Sequence, residues 1–115
     1  ILRFCDNEEV AIRKRPDTGL LAGLYEFPNV EGILEEKEIP EVLENWDIVL
    51  DRLYQKQNYR HIFTHIEWEM IGYSVAVKSK NEEFLWVKHD ELESIYAIPT
   101  AFKAFQRMLR DIYEN

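Results

Sequence analysis

The stretch from Tyr59 to Lys78 carries the β pattern that most constrains how this chain folds. Apolar residues alternate with glutamates from Ile66 to Met70 and occupy the even-numbered positions there. From Tyr73 to Val77 the large apolar residues occupy the odd-numbered positions instead. Because successive side chains of a strand point to opposite faces, the buried face must switch near residues 71–72. The pattern therefore predicts either a β-bulge or a strand that is covered on both faces.

Four shorter apolar segments predict further strands. A polar turn, Asp6 to Glu9, separates the first two, so we expect a hairpin at the start of the chain. Pro28 ends the third, because proline cannot donate to a strand ladder. The four predicted strands are Ile1 to Phe4, Val10 to Arg13, Tyr25 to Phe27 and Phe84 to Val87.

Two helices of different length are predicted, with a short helical turn beginning at His89 to Leu92. Pro40 suits the first helical position of a short helix that ends at Trp46 and buries Val42, Leu43 and Trp46. Thr100 is a good N-cap for a longer C-terminal helix that packs on the sheet. The apolar positions of that helix are Phe102, Phe105, Leu109 and Ile112. Mixed strands with one short middle helix and one long final helix indicate an α/β sandwich.

Size and composition indicate one domain that spans residues 1–115. A chain of this length that is 46% hydrophobic buries one core, and no internal repeat or linker divides it. The single cysteine, Cys5, excludes an internal disulfide and has no companions at metal-ligand spacing, so a reducing cytoplasm fits best. No apolar run reaches the roughly 18 residues of a membrane helix. The strand-like opening at Ile1, without a methionine, indicates a piece of a longer protein.

The net charge of −8 argues against an autonomous DNA-binding protein, because affinity for DNA scales with the number of phosphates neutralised. The charge is uneven, however. Between Glu26 and Asp51, seven acidic residues accompany a single base, Lys37. A local basic face can therefore coexist with the acidic total. The basic positions elsewhere include Arg13 to Arg15, Lys56, Arg60, Lys103, Arg107 and Arg110.

The segment Leu20 to Pro28 resembles the approach to a Nudix box, although on pattern alone it also fits a strand with an aromatic core pair. The box holds magnesium with several carboxylates on one helical face. Counted without gaps, Asn29 and Val30 replace its glycine pair. Glu36 matches the first glutamate, but Glu44 falls in the arginine position, and the remaining acidic positions hold Asn45, Ile48 and Val49. A shifted register, with Glu41 and Glu44 at the right spacing, requires a deletion. We therefore expect no metal site.

Three motifs in order give a more specific resemblance: Arg13 to Pro16 with Gly19 to Pro28, then His61 to His65, then Ile98 to Phe102. Together they resemble the C-terminal, MutT-like domain of the MutY family of adenine DNA glycosylases. The resemblance implies a Nudix-like α/β/α sandwich with a mixed sheet. It also implies that this domain recognises 8-oxoguanine opposite the adenine that a separate helical domain removes in base excision repair. The catalytic residues and an iron–sulfur cluster of that family belong to the upstream domain, so no cofactor is expected here.

By this resemblance the lesion-binding residues are Phe63, Thr64 and His65, with Arg60 and His61 as further candidates for contacts to the DNA backbone. Thr64 stands where the family has serine, so the hydroxyl is kept on a stiffer side chain. Oxidised guanine carries an N–H at N7, and a threonine hydroxyl can accept a hydrogen bond from it. Without the resemblance, Thr64 would be an ordinary strand threonine. His61 and His65 lack a third ligand and do not indicate zinc.

The main hypothesis is therefore a non-catalytic recognition domain of an adenine DNA glycosylase. Its expected partners are DNA containing 8-oxoguanine opposite adenine and the upstream catalytic domain, without a membrane, in the cytoplasm of a bacterium. Two alternatives stay open. The first is a magnesium-dependent Nudix pyrophosphohydrolase that acts on a free oxidised nucleotide. The second is a protein-interaction module that uses the acidic surface from Glu35 to Glu44.

Overall fold

In the part of the chain that the structure describes, six strands and two α-helices make up the architecture. The computed structural model of the chain describes residues 1–4, 8–18, 22–32, 34–62, 67–96, 98 and 102. A 3₁₀ turn, Glu36–Glu38, leads directly into α1. The strands are β1 (Leu2–Phe4), β2 (Glu9–Lys14), β3 (Tyr25–Glu26), β4 (Leu50–Ile62), β5 (Glu67–Val77) and β6 (Leu85–Lys88), and the helices are α1 (Ile39–Asn45) and α2 (His89–Ser94).

The strands form one mixed sheet in the order β3-β2-β1-β5-β4, and β6 also pairs with β2. The predicted N-terminal hairpin is confirmed, because β1 and β2 pair antiparallel with Arg3 opposite Val10. The β1–β5 pair is parallel, whereas the other pairs are antiparallel. The predicted short strands at Tyr25 and Phe84 are also confirmed, as β3 and as β6, which begins one residue later.

Strand β5 is covered on both faces over its second half. Tyr73 to Val77 are buried without interruption. Pairing with β4 runs regularly past Gly72, and the register shifts lie on β4 instead, between Leu50 and Arg52 and between Leu53 and Gln55. Of the two sequence interpretations, the doubly covered strand is confirmed. A bulge at residues 71–72 is wrong, because Ile71 and Gly72 pair with Asn58 and Gln57 in unbroken register.

Two hydrophobic clusters account for the burial of both faces. Alternating residues of β2 separate them, since Val10 and Ile12 belong to one cluster and Ala11 to the other. The first cluster also takes Leu92 of α2, and the second takes Leu43 of α1. The result is a layered α/β arrangement, as expected from the sequence.

Helix α1 matches the predicted short helix, with a proline in its first turn. Its inward side chains are Ile39 and Leu43, which are buried. The predicted burial of Val42 and Trp46 was overstated. Both side chains are partly exposed, because they border an open cleft instead of lying in the closed core.

Strand β4 begins nine residues earlier than the β pattern at Tyr59 suggests. Its first part is mostly polar or charged, as in Asp51, Arg52 and Lys56. The position in the sheet explains this composition, because β4 is at the end of the strand order and charged side chains on an edge oppose pairing with another chain.

The predicted C-terminal helix lies outside the described residues, except for Phe102, which packs in the first cluster. The basic positions 103, 107 and 110 lie outside them as well. Within the described part of the chain, none of the helices has the length and apolar character needed to cross a bilayer.

Candidate functional site

A buried carboxylate, Glu26, lies near the end of the Nudix-like segment Leu20 to Pro28. Its side chain is 5% exposed and accepts hydrogen bonds on both oxygens. Arg15 Nη1 donates to Oε1 at 2.6 Å, and Arg13 Nε donates to Oε2 at 3.1 Å. Asn29 Nδ2 donates to Oε2 at 2.9 Å. A buried charge is tolerated only when it is paired and hydrogen-bonded in this way.

This ionic cluster attaches the loop after β3 to the sheet. Arg13 and Glu26 are register partners of β2 and β3, so the backbone already places them side by side. The Arg13 Nη2 group also donates to the Asn29 carbonyl at 3.0 Å, and the Asn29 amide donates to the Phe27 carbonyl at 3.0 Å. Asn29 therefore takes part in the ionic cluster through both its backbone carbonyl and its side-chain amide, at a position where a Nudix box has glycine.

The cluster also changes the interpretation of Arg13 to Arg15 as basic surface. Arg13 and Arg15 both pair with Glu26, and Lys14 lies 3.8 Å from Asp17. Three basic side chains and two carboxylates leave one positive charge in excess, so the local positive balance expected from the sequence is reduced but not removed. The signal that would have found the cluster is the spacing of the two arginines. Arg13 lies in β2 and Arg15 follows the end of that strand, two residues further on, beside the short strand that carries Glu26.

A cleft of about 510 Å³ opens between this loop, α1 and β5. Its apolar wall comes from the 27–34 loop, α1 and the middle of β5, and its polar rim includes Arg15, Glu31, Glu67 and Glu69. The volume falls in the range of about 300–1,000 Å³ that small-molecule sites occupy. One face of β5 lines the cleft with Glu67, Glu69, Ile71, Tyr73 and Val75, and Met70 and Gly72 border it as well.

Tyr73 lies on the wall of this cleft. Its hydroxyl donates a hydrogen bond to the Leu34 carbonyl at 2.6 Å, which connects β5 to the loop before α1. Burial raises the pKa of the Tyr73 phenol, and the negative charges of Glu36, Glu35 and Glu38 raise that pKa further. Tyr73 therefore stays neutral at physiological pH and serves as a hydrogen-bond donor.

The β4–β5 hairpin leads to the residues that the sequence identified as lesion-binding. The last described pair is Ile62 with Glu67, and Phe63, Thr64 and His65 lie outside the described residues. His61 lies within β4, opposite Trp68. The DNA-binding roles of Phe63, Thr64, His65 and His61 therefore stay predictions.

Arg60, the other candidate for a backbone contact, is on the same hairpin. Its Nε group lies 3.1 Å from Glu67 Oε1, and the two side chains are 64% and 46% exposed. An exposed pair of this kind contributes only about 0.2–1 kcal/mol. Arg60 can therefore exchange its carboxylate partner for a phosphate at small cost. The neighbouring Ile62 is 67% exposed.

Comparison with known proteins agrees with the fold. The family model described as NUDIX domain matches residues 1–108. The chain belongs to the NUDIX domain family. This NUDIX domain is also similar to the adenine DNA glycosylases of Schizosaccharomyces pombe (33% identical, 85% of this chain and 24% of the relative), Rattus norvegicus (28%, with 89% and 22%) and Mus musculus (33%, with 89% and 22%). It spans about a quarter of the length of these relatives.

Magnesium chemistry of the Nudix box does not fit the described part of this NUDIX domain. Glu36, Glu41 and Glu44, the carboxylates nearest to the box positions, are exposed, and α1 turns Ile39 and Leu43 to the core instead. No group of three or more His, Cys, Asp or Glu side chains that could hold a metal is found in residues 1–4, 8–18, 22–32, 34–62 and 67–96. Several converging oxygen ligands are needed for a hard cation, so we derive no hydrolytic step.

Proposed function

We propose that this NUDIX domain is the lesion-recognition domain of an adenine DNA glycosylase and reads 8-oxoguanine opposite the adenine to be removed. The observation that carries the proposal is the alignment of 85–89% of the chain with three proteins named adenine DNA glycosylase. The chain corresponds to only 22–24% of their length, which fits a recognition domain attached to a larger catalytic part.

The hairpin geometry supports contact with DNA at the end of β4. Arg60 is exposed and only weakly held by Glu67, so it is able to bind a phosphate. Ile62 presents an exposed apolar side chain next to Phe63, which suits packing against a sugar or a base. In the proposal these two residues flank the loop Phe63, Thr64 and His65, which contacts the oxidised base.

The chemistry of the lesion gives Thr64 its role. Guanine has an acceptor at N7, whereas 8-oxoguanine has an N–H there and a carbonyl at C8. The Thr64 hydroxyl accepts from that N–H, and a backbone N–H of the same loop donates to the new carbonyl. Undamaged guanine leaves a partner unpaired at a cost of about 1–3 kcal/mol. One such contact supplies part of the discrimination, and the catalytic domain supplies the rest.

The acidic total charge fits a domain that confirms the base rather than one that holds the duplex. A net charge of −8 disfavours many phosphate contacts, so most of the DNA affinity must come from the rest of the protein. Adenine extrusion and hydrolysis also belong to that part. The proposed location is on DNA in the cell. The relatives are fungal and mammalian, and a bacterial source stays a prediction.

Substitution of Thr64 in the full-length parent enzyme tests the proposal. Single-turnover rates of adenine release are measured on duplexes with adenine opposite 8-oxoguanine and opposite guanine. We expect Thr64→Ala to lower the ratio of the two rates by about tenfold, which corresponds to roughly 1.4 kcal/mol, and Thr64→Ser to preserve it. The matched control is Thr18→Ala, an exposed threonine outside the hairpin. An unchanged ratio in Thr64→Ala contradicts the proposed role.

A separate assay on the 115-residue chain tests the nucleotide-hydrolase alternative. The chain is incubated with 8-oxo-dGTP and magnesium, and released pyrophosphate is measured. We expect no release above background, because the described acidic residues do not converge on a metal position. Turnover that Glu41→Gln abolishes would favour the hydrolase over the recognition domain.

A further inference from the structure

The cleft between α1 and β5 combines an apolar wall with an acidic rim. Leu34, Ile39 and Val42 contribute the wall on one side, and Ile71 contributes on the other. Trp46 also borders the cleft and is only partly buried, so part of an aromatic surface is open to an occupant. A cavity with these walls is suited to an aliphatic or aromatic side chain.

The charged groups on the cleft lining are predominantly acidic. Three carboxylates line it, Glu31, Glu67 and Glu69, whereas Arg15 is the basic residue among the described lining residues. The Arg15 guanidinium binds the buried Glu26 at 2.6 Å and shares that carboxylate with Arg13, so its charge is partly compensated within the fold. Glu67 has an exposed partner in Arg60, and no ion pair of Glu31 or Glu69 is found among the described residues.

A second set of carboxylates extends the acidic region beyond the rim. The 3₁₀ turn contributes Glu35, Glu36 and Glu38, and all three are exposed. They lie close enough to Tyr73, on the cleft wall, to raise the pKa of its phenol. The base within that turn, Lys37, lies 3.3 Å from Glu35. Negative potential therefore covers the approach from the loop side as well as from β5.

From this combination we propose that the cleft is a docking site for a peptide segment of a partner protein that carries lysine or arginine beside an apolar anchor residue. The anchor fills the apolar wall next to Trp46, and the flanking cations face Glu31, Glu67 and Glu69. Trp46 adds a surface over which a guanidinium stacks. The occupant differs from the DNA of the proposed function and engages the face of the domain formed by α1 and the odd-numbered residues of β5.

Charge selects a basic peptide over a nucleotide as the occupant. A phosphate in the cleft would face the rim carboxylates, and the described residues offer neither a metal position nor an uncommitted arginine on the lining to offset the repulsion. A small polyamine would satisfy the carboxylates but would leave the apolar wall uncovered. A peptide segment supplies both the cation and the apolar group.

Selection from a random dodecapeptide display library tests the proposal, with the 115-residue chain as the immobilised target. We expect enriched peptides to carry two or more basic residues next to a leucine, isoleucine, methionine or aromatic residue. A synthetic copy of an enriched peptide is then titrated by fluorescence polarisation. Its affinity should fall about tenfold in the double variant Glu67→Gln/Glu69→Gln, or roughly 1.4 kcal/mol, and it should weaken with added salt.

The matched control is Glu41→Gln/Glu44→Gln, which removes the same charge from exposed positions of α1 that do not line the cleft. We expect this control to bind the peptide as the parent chain does. A third variant, Val42→Gln, alters the apolar wall and should weaken binding as well, with circular dichroism verifying that all variants fold. Failure to enrich basic peptides, an equal loss in both double variants, or displacement of the peptide by dGMP would overturn the proposal. Because no DNA is present, these outcomes are independent of lesion recognition.

Discussion

Replacing Glu26 with glutamine is the substitution whose effect follows most directly from the structure. Glutamine keeps the shape but removes the charge, and its NH₂ group must face one of three donors, Arg13, Arg15 or Asn29. Removing one partner of a fully buried ion pair costs about 3–5 kcal/mol. The side chains of Arg13 and Arg15 are 33% and 19% exposed, so water partly solvates them. We expect a loss of about 2–3 kcal/mol after this discount.

Urea denaturation of the 115-residue chain, followed by circular dichroism, measures the free energy of unfolding. A loss of this size is a large fraction of the roughly 5–15 kcal/mol that stabilises an ordinary domain. Glu31→Gln is the control, because it makes the same chemical change at an exposed carboxylate on the same loop. Surface substitutions usually change the free energy of unfolding by no more than about 0.5 kcal/mol. If the two variants differ by less than that, the structural role assigned to Glu26 is wrong.

Two further substitutions test hydrogen bonds that hold the cleft and its surroundings. Tyr73→Phe removes the donor to the Leu34 carbonyl and should cost about 1 kcal/mol at neutral pH by urea denaturation. Because the pKa of Tyr73 is raised in the fold above its ordinary value of 10.0, its contribution is fully present below that pH and is lost as the pH rises further, so the variant should show a shallower alkaline decline. Asn81→Ala removes the hydrogen bonds to the Trp46 carbonyl and from the Phe84 N–H, and should cost about 2 kcal/mol of stability. The melting temperature of this variant should fall by more than that of the control Asn58→Ala, which changes an exposed asparagine.

The sequence predicted those elements whose signal is local. The β1–β2 hairpin, β3 and β6 are short apolar segments bounded by polar or proline residues, and each was found within a residue or two. The change from even-numbered to odd-numbered apolar positions along β5 was also a correct indication of burial on both faces, since Ser74 and Ala76 are buried along with their neighbours. Helix α1 was predicted from its proline, although its partly exposed face was not.

Features that depend on tertiary position were missed. The start of β4 resembles a polar loop, because an edge strand at the end of the sheet has little apolar surface to bury. The Glu26 cluster requires knowledge that β2 and β3 are neighbours, which no single segment carries. The acidic cleft likewise joins β5 with the 27–34 loop and α1. The lesion-binding role of Thr64 was assigned from the family resemblance, and Thr64 lies outside the described residues.

The account depends most on the claim that this domain supplies part of the discrimination for 8-oxoguanine. The direct measurement compares the full-length parent glycosylase with a form that lacks residues 1–115. For each protein, single-turnover adenine release is measured opposite 8-oxoguanine and opposite guanine. We predict that the truncated enzyme still removes adenine but that the ratio of the two rates falls by about tenfold or more, or at least roughly 1.4 kcal/mol. An unchanged ratio in an active truncated enzyme would contradict the account.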